Sequence, residues 1–490
     1  MHTYIGVDLG TSGVKLILVN KNGRIIRTVT RNYDLIIVKP SWSEQDPNIW
    51  YKQTIDGLKE LVHGYERQIK GISFSGQMHG LVLLDEFDNV LRNAILWNDQ
   101  RTVEQVAYLN EVISIESLLE YTGNIALTGL TAPKILWVKE NEPEVFKRIK
   151  KIMLPKDYLV YKLSGVFASD VSDLSGTLYF NPLTKTYSKE MLEILHIDVS
   201  MLPSIHESYE RIGLLKTDIL NNLNIEADIS VIVGGGDQAV GAIGVGVIQD
   251  GECSISLGTS GVIFVASDKF VRDEISYFQS YSHANGAYHI MAVMLNAASS
   301  IKWWNESILE TYNYEDYYLR VASANKKENL LFLPYLTGER APINDPYAKG
   351  VLYGLGVHHQ KNDIDRAILE GVTFAIKDSF ELIKKLGISI KQVRLTGGGA
   401  KSDYWAQLIA DILEVKVVKI TVEEGPALGA AILAMVGCRE YENIQKACES
   451  IVQVGKVFIP NLEVIEIYKD KYLEYTKLYP ALKNLYKIIP

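Results

Sequence analysis

The chain has 490 residues, a net charge of −9 at pH 7 and 47% hydrophobic residues. That length exceeds what one hydrophobic core normally supports, so we expect at least two domains. The acidic balance argues against nucleic acid as the main partner, and no apolar run is long enough to cross a membrane. The three cysteines form neither a disulfide framework nor a metal-binding spacing, and no secretion signal is readable, which favours the cytoplasm.

The first predicted element is a β-hairpin at residues 4–20, followed by a turn at Asn22-Gly23. Its turn contains LGTSGV, a hexapeptide that recurs at residues 257–262. Glycines and hydroxyls in such a turn display several hydrogen-bond donors, which suits phosphate oxygens. Asp8 precedes the first copy, whereas Ser256 precedes the second. A carboxylate beside phosphate favours a bridging Mg²⁺, and the alternative is a turn aspartate that bonds its own backbone.

A helix is predicted at about residues 47–63 from apolar residues at helical spacing, and a strand at 69–74 follows it. This strand runs into SGQMHG, residues 75–80, in which an amide, a thioether and an imidazole lie between glycines. Such a loop suits a ligand rich in hydroxyls, with Met78 as an apolar wall. The alternative is that His79 is an ordinary surface or packed histidine.

A buried strand predicted at residues 229–233 runs into GGGDQ, in which three glycines precede Asp237. Glycines let the backbone approach a ligand closely, and α/β proteins place their sites at the carboxyl ends of strands. Asp237 can there accept a proton from a hydroxyl nucleophile. The alternative is a helix N-cap, but a cap does not require three glycines, so we favour the catalytic role.

The second half repeats the pattern, with a strand–turn–strand predicted at Cys253–Ala266. A long helix is predicted at about Asp363–Leu386, capped by Asp363 at its start and Gly387 at its end. A strand at 393–396 then ends in GGGAKSD, which suits an anion or a nucleotide. This motif matches neither a Walker A loop nor a dinucleotide fingerprint.

Other polar residues in the second half carry a weaker signal. For Glu339 and Arg340 in GERAP we favour a structural ion pair over a role in shaping a cleft. His283, His358 and His359 have no recognisable ligand spacing, so we favour structural or surface roles over metal binding. The last predicted element is a closing helix at about residues 465–486.

Strands that alternate with helices in both halves indicate an α/β protein. Since each half opens with the same hairpin, we predict a duplicated fold divided at residues 1–246 and 247–490. Two such domains facing each other would bring both hairpin turns to one cleft.

Together, the motifs resemble the FGGY family of carbohydrate kinases. The resemblance runs from Tyr4 to about Gly437 and rests on IGVDLGTSGVK, SGQMHG, LPKDYL, GGGDQAVGAIGVG and LTGGGAKSDYW. It implies two duplicated actin/hexokinase-like, ribonuclease H-like domains with a cleft between them. The first domain would bind the sugar and the second the nucleotide.

The resemblance also implies roles for individual residues. Asp237 would be the base that deprotonates the sugar hydroxyl, and Asp8 would hold Mg²⁺ through water near the transferred phosphoryl group. The residues expected at the sugar are Gln77, Met78, His79 and Gln238. The residues expected at ATP are Thr11, Ser12 and Lys15 in the first hairpin, Gly258 and Thr259 in the second, and Gly398, Gly399 and Asp403 in the last glycine motif.

The implied activity is ATP-dependent phosphorylation of D-xylulose to D-xylulose 5-phosphate. Kinases of ribulose, gluconate or glycerol are alternatives, because Gln238 replaces a common Asn and residues 128–130 are variable in the family. A third hypothesis is an ATPase machine of the actin and chaperone type, which binds a protein instead of a sugar. We expect a cytoplasmic enzyme that binds a sugar and ATP, with a homodimer as one candidate assembly and without nucleic acid or membrane partners.

Overall fold

The structure is a computed structural model and describes residues 2–274, 278–421 and 425–486. Within these residues the strands, in chain order, are β1 Thr3–Leu9, β2 Gly13–Asn20, β3 Ile25–Asn32, β4 Ile36–Ile37, β5 Ser43–Gln45, β6 Ile69–Gly76, β7 Val82–Leu84, β8 Ala94–Ile95, β9 Lys151–Met153, β10 Ala168–Asp170, β11 Phe180–Asn181, β12 Thr186–Tyr187, β13 Ser204–His206, β14 Arg211–Leu214, β15 Ser230–Ile232, β16 Gly235–Gly236, β17 Glu252–Leu257, β18 Gly261–Ser267, β19 Gln279–Ser282, β20 Tyr288–Met294, β21 Leu331–Leu333, β22 Val351–Tyr353, β23 Gln392–Thr396, β24 Lys416–Ile420 and β25 Val454–Phe458.

The α-helices in the same parts of the chain are α1 Pro47–Val62, α2 Val103–Ala107, α3 Ile115–Thr122, α4 Thr131–Asn141, α5 Pro143–Phe146, α6 Pro155–Ser164, α7 Val171–Leu174, α8 Lys189–Leu195, α9 Thr217–Asn222, α10 Asp237–Gly244, α11 Ala298–Lys302, α12 Tyr314–Ser323, α13 Lys361–Lys385, α14 Asp403–Leu413, α15 Gly425–Gly437, α16 Ile444–Ile451 and α17 Leu462–Tyr486. Short π-helices lie at Tyr108–Ser114 and Trp303–Ile308, and 3₁₀ turns at Val199–Met201 and Gly398–Lys401. Across the described ranges, no helix combines the length and the apolar character needed to span a bilayer.

The first half of the chain is built on a mixed sheet with the order β14-β15-β6-β1-β2-β3. β1 pairs antiparallel with β2 and parallel with β6, so the first hairpin lies in the middle of the sheet. β1 is buried along nearly its whole length because helices cover both faces of the sheet. On one face, α1 packs its apolar stripe of Trp50, Leu58 and Leu61 against the sheet.

The second half repeats this arrangement in a sheet with the order β19-β20-β18-β17-β23-β24-β25. β17 pairs antiparallel with β18 and parallel with β23, as β1 does with β2 and β6. The two-domain α/β fold predicted from the repeated hairpin is therefore confirmed. The registers of the two hairpins nevertheless differ by one residue, since Leu9 pairs with Val14 but Leu257 pairs with Gly261.

The two halves meet through close packing of helices that are rich in small residues. α15 belongs to the second half of the chain, yet it packs against β1 and α10 of the first half in one shared core. A Cβ on Gly244 would lie 1.8 Å from the carbonyl oxygen of Gly425, and one on Gly429 would lie 1.9 Å from that of Val240. Glycine is required at this crossing because any side chain would collide with the neighbouring backbone.

Between β6 and β14 the first half carries a largely helical region with its own apolar core, which includes Leu136, Leu154 and Leu174. The long helix α13 begins at Lys361, two residues before the predicted start, so the prediction that Asp363 is its N-cap is wrong. Gln360 is the N-cap, and the Asp363 carboxylate accepts the Gln360 backbone N–H at 2.9 Å from inside the first turn.

Candidate active site

The first hairpin turn is held by hydrogen bonds to its neighbours. The Ser75 hydroxyl on β6 donates to Asp8 Oδ1 at 3.0 Å, because Asp8 and Ser75 are opposite each other in parallel strands. Thr11 Oγ1 donates to Gln77 Oε1 at 3.2 Å and accepts from Trp97 Nε1 at 2.9 Å. These bonds join the turn to the glycine-flanked loop after β6, so two motifs that are far apart in the sequence form one surface.

Ser12 and Lys15 extend this surface. Ser12 is exposed at the tip of the turn, while Lys15 lies on β2 opposite Asp8 and is half-buried. The second hairpin presents Gly258 and Thr259, whose carbonyls accept backbone N–H groups of Ala298 at 3.0 Å and Ala297 at 3.2 Å. Both tips therefore have fixed backbones, which suits the binding of phosphate oxygens.

Asp237 is the first residue of α10, directly after the glycine turn. Gly234 has φ of 76°, and a Cβ there would lie 2.0 Å from the Phe74 carbonyl oxygen, so the turn requires glycine. The N-cap is Gly236, which excludes the alternative that Asp237 caps the helix. Burial, with a further contribution from the Asp8 carboxylate, raises the pKa of Asp237 to about 7. This carboxyl group can therefore take up and release a proton near neutral pH.

Met78 lies against Gly236, the residue before Asp237, and His79 follows Met78 in the same loop. A Cβ on Gly236 would approach Met78 Sδ to 2.9 Å, and Met78 packs against Tyr281 and Met291 of the second half. His79 has φ of 68°, and its Nδ1 lies 2.9 Å from the Gly176 carbonyl oxygen.

The protonation of His79 follows from these contacts. A carbonyl oxygen only accepts, so His79 Nδ1 carries the hydrogen and Nε2 is left as an acceptor. Burial and the nearby Lys134 ammonium lower the pKa of His79 to about 3, which keeps the ring neutral. A neutral imidazole with a fixed tautomer is suited to accept a hydrogen bond from a hydroxyl group.

The two glutamines of the predicted sugar site differ in their surroundings. Gln77 is buried, and its amide also donates to Gln45 Oε1 at 3.2 Å, so both ends of the side chain are bonded to protein. Its position therefore indicates that it orients Thr11. Gln238 is half-buried and donates to Asp237 Oδ1 at a long 3.4 Å.

A cavity of about 660 Å³ opens between the halves, with Asp237 and Gln238 at one end and the carboxyl ends of β23 and β24 at the other. Of the residues predicted to contact ATP, Gly398 lines this cavity. Gly399 is buried behind it, where a Cβ would lie 2.4 Å from the Trp405 ring. The sequence did not single out further lining residues, among them Ser254, Thr396, Lys419 and Pro426. Ser256, which precedes the second hexapeptide, also lines the cavity.

Asp403 lies outside the cavity lining and forms ion pairs with Lys419 Nζ at 2.8 Å and Lys456 Nζ at 2.7 Å. Hydrogen bonds from these two lysines lower the pKa of Asp403. Asp403 therefore orients Lys419, which lines the cavity. The parallel pairing of Leu395 with Lys419 explains this position, since it brings the ends of β23 and β24 to one edge. A lysine near the end of a predicted strand is the sequence signal that could have pointed to Lys419.

The remaining sequence predictions concern Glu339, Arg340 and the histidines of the second half. Glu339 and Arg340 do not pair in the described part of the chain, so the predicted ion pair is wrong. The Glu339 carboxylate instead accepts the Leu295 backbone N–H at 2.5 Å. His358 and His359 both face Glu328, with Nε2–Oε2 distances of 3.5 and 3.6 Å. Glu328, His358 and His359 form the one group of three potential metal ligands in the described ranges whose ligand atoms lie within 4.8 Å of one another. Asp8 is not part of this group.

Comparisons with known proteins identify the family of the chain. Residues 3–244 match the N-terminal domain, and residues 253–438 the C-terminal domain, of the FGGY family of carbohydrate kinases. The chain is 39% identical to a xylulose kinase of Bacillus subtilis strain 168, over 99% of this chain and 98% of that protein.

Two solved structures from Lactobacillus acidophilus are also similar, a ligand-bound xylulose kinase and a gluconate kinase. Each is 29% identical, superposes with a TM-score of 0.95 and covers 100% of both chains. Kinases of this family use ATP as the phosphoryl donor. Because the whole length matches and both halves carry the expected domains, the chain belongs to the FGGY family of carbohydrate kinases.

Proposed function

We propose that the protein transfers the γ-phosphoryl group of ATP to the C5 hydroxyl of D-xylulose, which gives D-xylulose 5-phosphate and ADP. The observation that carries the proposal is the position of Asp237. Its carboxyl group, with a pKa raised to about 7, lies where the large cavity meets the loop of Met78 and His79. The similarity to xylulose kinases supports D-xylulose as the substrate.

In the proposed reaction, the Asp237 carboxylate accepts the proton of the C5 hydroxyl as its oxygen attacks the γ-phosphorus. The bond between that phosphorus and the β,γ-bridging oxygen breaks, and ADP leaves. Because phosphoryl transfer needs little covalent help from the protein, alignment and charge stabilisation supply most of the catalysis. General-base catalysis contributes about 10²- to 10⁴-fold to rates of this kind.

On the sugar side, we propose that His79 Nε2 accepts a hydrogen bond from a sugar hydroxyl and that Met78 forms an apolar wall. Gln238 has a side chain that reaches the cavity and is proposed to bond a second hydroxyl. Gln77 is proposed to act through Thr11, since its own amide is bonded to protein at both ends.

On the nucleotide side, we propose that Gly398 and Lys419 line the ATP site, with Gly399 behind them and Asp403 orienting Lys419. The hairpin residues proposed to contact the phosphates are Thr11, Ser12, Lys15, Gly258 and Thr259. Their exposed turns and fixed backbones suit phosphate oxygens.

Mg²⁺ fits the carboxylate oxygens at this site. Asp8 and Asp237 are close enough for the charge of Asp8 to raise the pKa of Asp237, so a cation between them would relieve their repulsion. Hard oxygen ligands of this kind suit Mg²⁺. We propose that Asp8 holds the ion through water, and Mg²⁺ would supply positive charge beside the transferred phosphoryl group.

The division into a sugar-binding domain of residues 1–246 and a nucleotide-binding domain of residues 247–490 is likewise proposed. Closure of the two over the sugar would exclude water and so prevent hydrolysis of ATP. The use of ATP and the free cysteines Cys253, Cys438 and Cys448 favour a cytoplasmic enzyme. The homodimer stays a prediction.

The direct test is ADP release from the purified protein with Mg-ATP across D-xylulose, D-ribulose, L-ribulose, D-gluconate and glycerol, with a control without sugar. Selective turnover of D-xylulose would support the proposal. Preference for D-gluconate would contradict D-xylulose as the substrate but would leave the assignment as a sugar kinase intact. D-Gluconate is the main alternative substrate because a gluconate kinase structure is similar to this chain. ADP release that no sugar stimulates would contradict the proposed reaction as a whole.

A further inference from the structure

A second cavity, of about 580 Å³, lies between the halves. One wall comes from the first half and includes Asn124 and Thr128, and the other comes from the second half and includes Tyr281, Met291 and Arg340. Its walls therefore belong to both parts of the fold that are proposed to close over the sugar.

The two cavities are neighbours across Met78. Met78 packs on Tyr281 and Met291, which line the second cavity. Val262 lines the first cavity and Val293 the second. These two residues are paired in adjacent strands and pack against the cluster that Met78 forms with Tyr281 and Met291. A ligand that crosses Met78 with one end at Asp237 would therefore have its other end in the second cavity.

Arg340 lines this second cavity beside Glu339 and Tyr281. In the described part of the chain its side chain forms neither a hydrogen bond nor an ion pair, and the adjacent Glu339 carboxylate is bonded to backbone N–H groups. The Tyr281 hydroxyl is buried and also lacks a hydrogen-bond partner among the described residues. Burial lowers the pKa of Arg340, and the nearby Tyr281 and Glu339 oppose this shift only in part, since removing a cation from water is unfavourable. A bound ligand that accepts hydrogen bonds would relieve this cost.

We propose that the second cavity is the subsite for the end of the sugar remote from the phosphorylated hydroxyl, and that Arg340 donates hydrogen bonds there to the keto oxygen and the adjacent terminal hydroxyl of a ketose. This inference rests on the proposed function, because it takes the C5 hydroxyl to lie at Asp237. It assigns the recognition of the keto group to the second half of the chain.

The chemistry of the groups favours a ketose. An arginine offers only donors, in a planar fork that fits two neighbouring oxygens. A keto oxygen only accepts, so Arg340 satisfies it completely. In xylitol, the polyol with a hydroxyl in place of the keto group, that hydroxyl also needs an acceptor for its own hydrogen. Arg340 should therefore distinguish D-xylulose from xylitol.

The test compares Arg340→Met and Arg340→Lys with the wild-type protein. The readouts are kcat and KM for D-xylulose, KM for ATP, and the competitive inhibition constant of xylitol. Removing a hydrogen bond from a charged donor costs about 10- to 100-fold in binding. We expect Arg340→Met to raise KM for D-xylulose by that factor, with KM for ATP unchanged. The xylitol constant should rise by a smaller factor, because xylitol keeps the terminal hydroxyl but lacks the keto oxygen. Arg340→Lys, which keeps the charge but loses the fork, should fall between Arg340→Met and the wild-type protein.

The matched control is Lys349→Met, which removes one positive charge from an exposed position nearby in the chain that does not line the cavity. Thermal midpoints of all variants check that they are folded. An unchanged KM for D-xylulose in Arg340→Met, or an equal loss for D-xylulose and xylitol, would overturn the inference while leaving the proposed function intact. A wild-type protein that phosphorylates no sugar would overturn both.

Discussion

Replacing Asp237 by Asn tests the proposed base. We expect this substitution to lower the activity of the enzyme and to raise the stability of its fold. The substitution keeps the shape of the side chain and removes its ability to accept a proton. We expect kcat on D-xylulose to fall by about 10²- to 10⁴-fold, which is the usual contribution of a general base. ATP binding, measured by calorimetry, should stay close to that of the wild-type protein because the nucleotide side of the cavity is unaltered.

The same substitution should stabilise the fold above pH 7. Burial raises the pKa of Asp237 to about 7, roughly three pH units above an ordinary aspartate, which corresponds to at most about 4 kcal/mol of destabilisation. The side chain is only half-buried, so screening by solvent reduces the expected gain to about 1–3 kcal/mol. For a carboxyl group whose folded pKa is raised, the cost is fully present above the folded pKa and vanishes below the unfolded one. Thermal midpoints should therefore rise at pH 8 and much less at pH 5.

The wild-type enzyme should show the matching pH dependence. Because only the ionised carboxylate accepts a proton, kcat/KM for the sugar should fall about tenfold per pH unit below roughly pH 7. Asp218→Asn is the control, since Asp218 is an exposed aspartate in the first turn of α9. Near-normal turnover of Asp237→Asn would refute the base assignment, and an unchanged midpoint at pH 8 would refute the argument from burial.

Three further substitutions test other parts of the site. Gly236→Ala would place a Cβ 2.9 Å from Met78 Sδ, so we expect a higher KM for the sugar with KM for ATP unchanged, and equal changes in both would contradict it. Asp8→Asn should raise the Mg²⁺ concentration needed for half-maximal activity. Because it removes a negative charge near Asp237, it should also move the acidic limb of the pH profile to lower pH. An unchanged pH profile would argue against the electrostatic coupling of Asp8 and Asp237. Lys419→Met should raise KM for ATP, whereas Lys456→Met, which removes the other partner of Asp403 outside the cavity, should have little effect.

Much of the fold was predictable because it depends on local sequence patterns. The repeated hexapeptide marks the two central hairpins, and helical spacing locates α1, α13 and α17 within a few residues. Helix ends were less predictable, since Asp363 is a good capping residue by type but lies inside the first turn. Cap geometry depends on backbone angles that residue preferences do not determine.

The candidate site was predictable where one short segment carries both the turn and its functional group. Asp237 after three glycines and His79 between glycines are examples, and the structure places Met78, which precedes His79, against the glycine before Asp237. Residues that act through partners were harder to interpret. The roles of Gln77 and Asp403 depend on Thr11 and Lys419, which are distant in the sequence.

The sequence by itself therefore determined the elements, the duplication and the family, because hydrophobic periodicity and glycine turns are local properties of the chain. Only the tertiary structure decided which charges are paired and which are left facing a cavity. Arg340 follows Glu339 directly and would be expected to pair with it, yet backbone N–H groups bond that carboxylate and leave the guanidinium without a partner in the described part of the chain. Pairing depends on the three-dimensional positions of donors and acceptors, and those are fixed only when the two halves pack together.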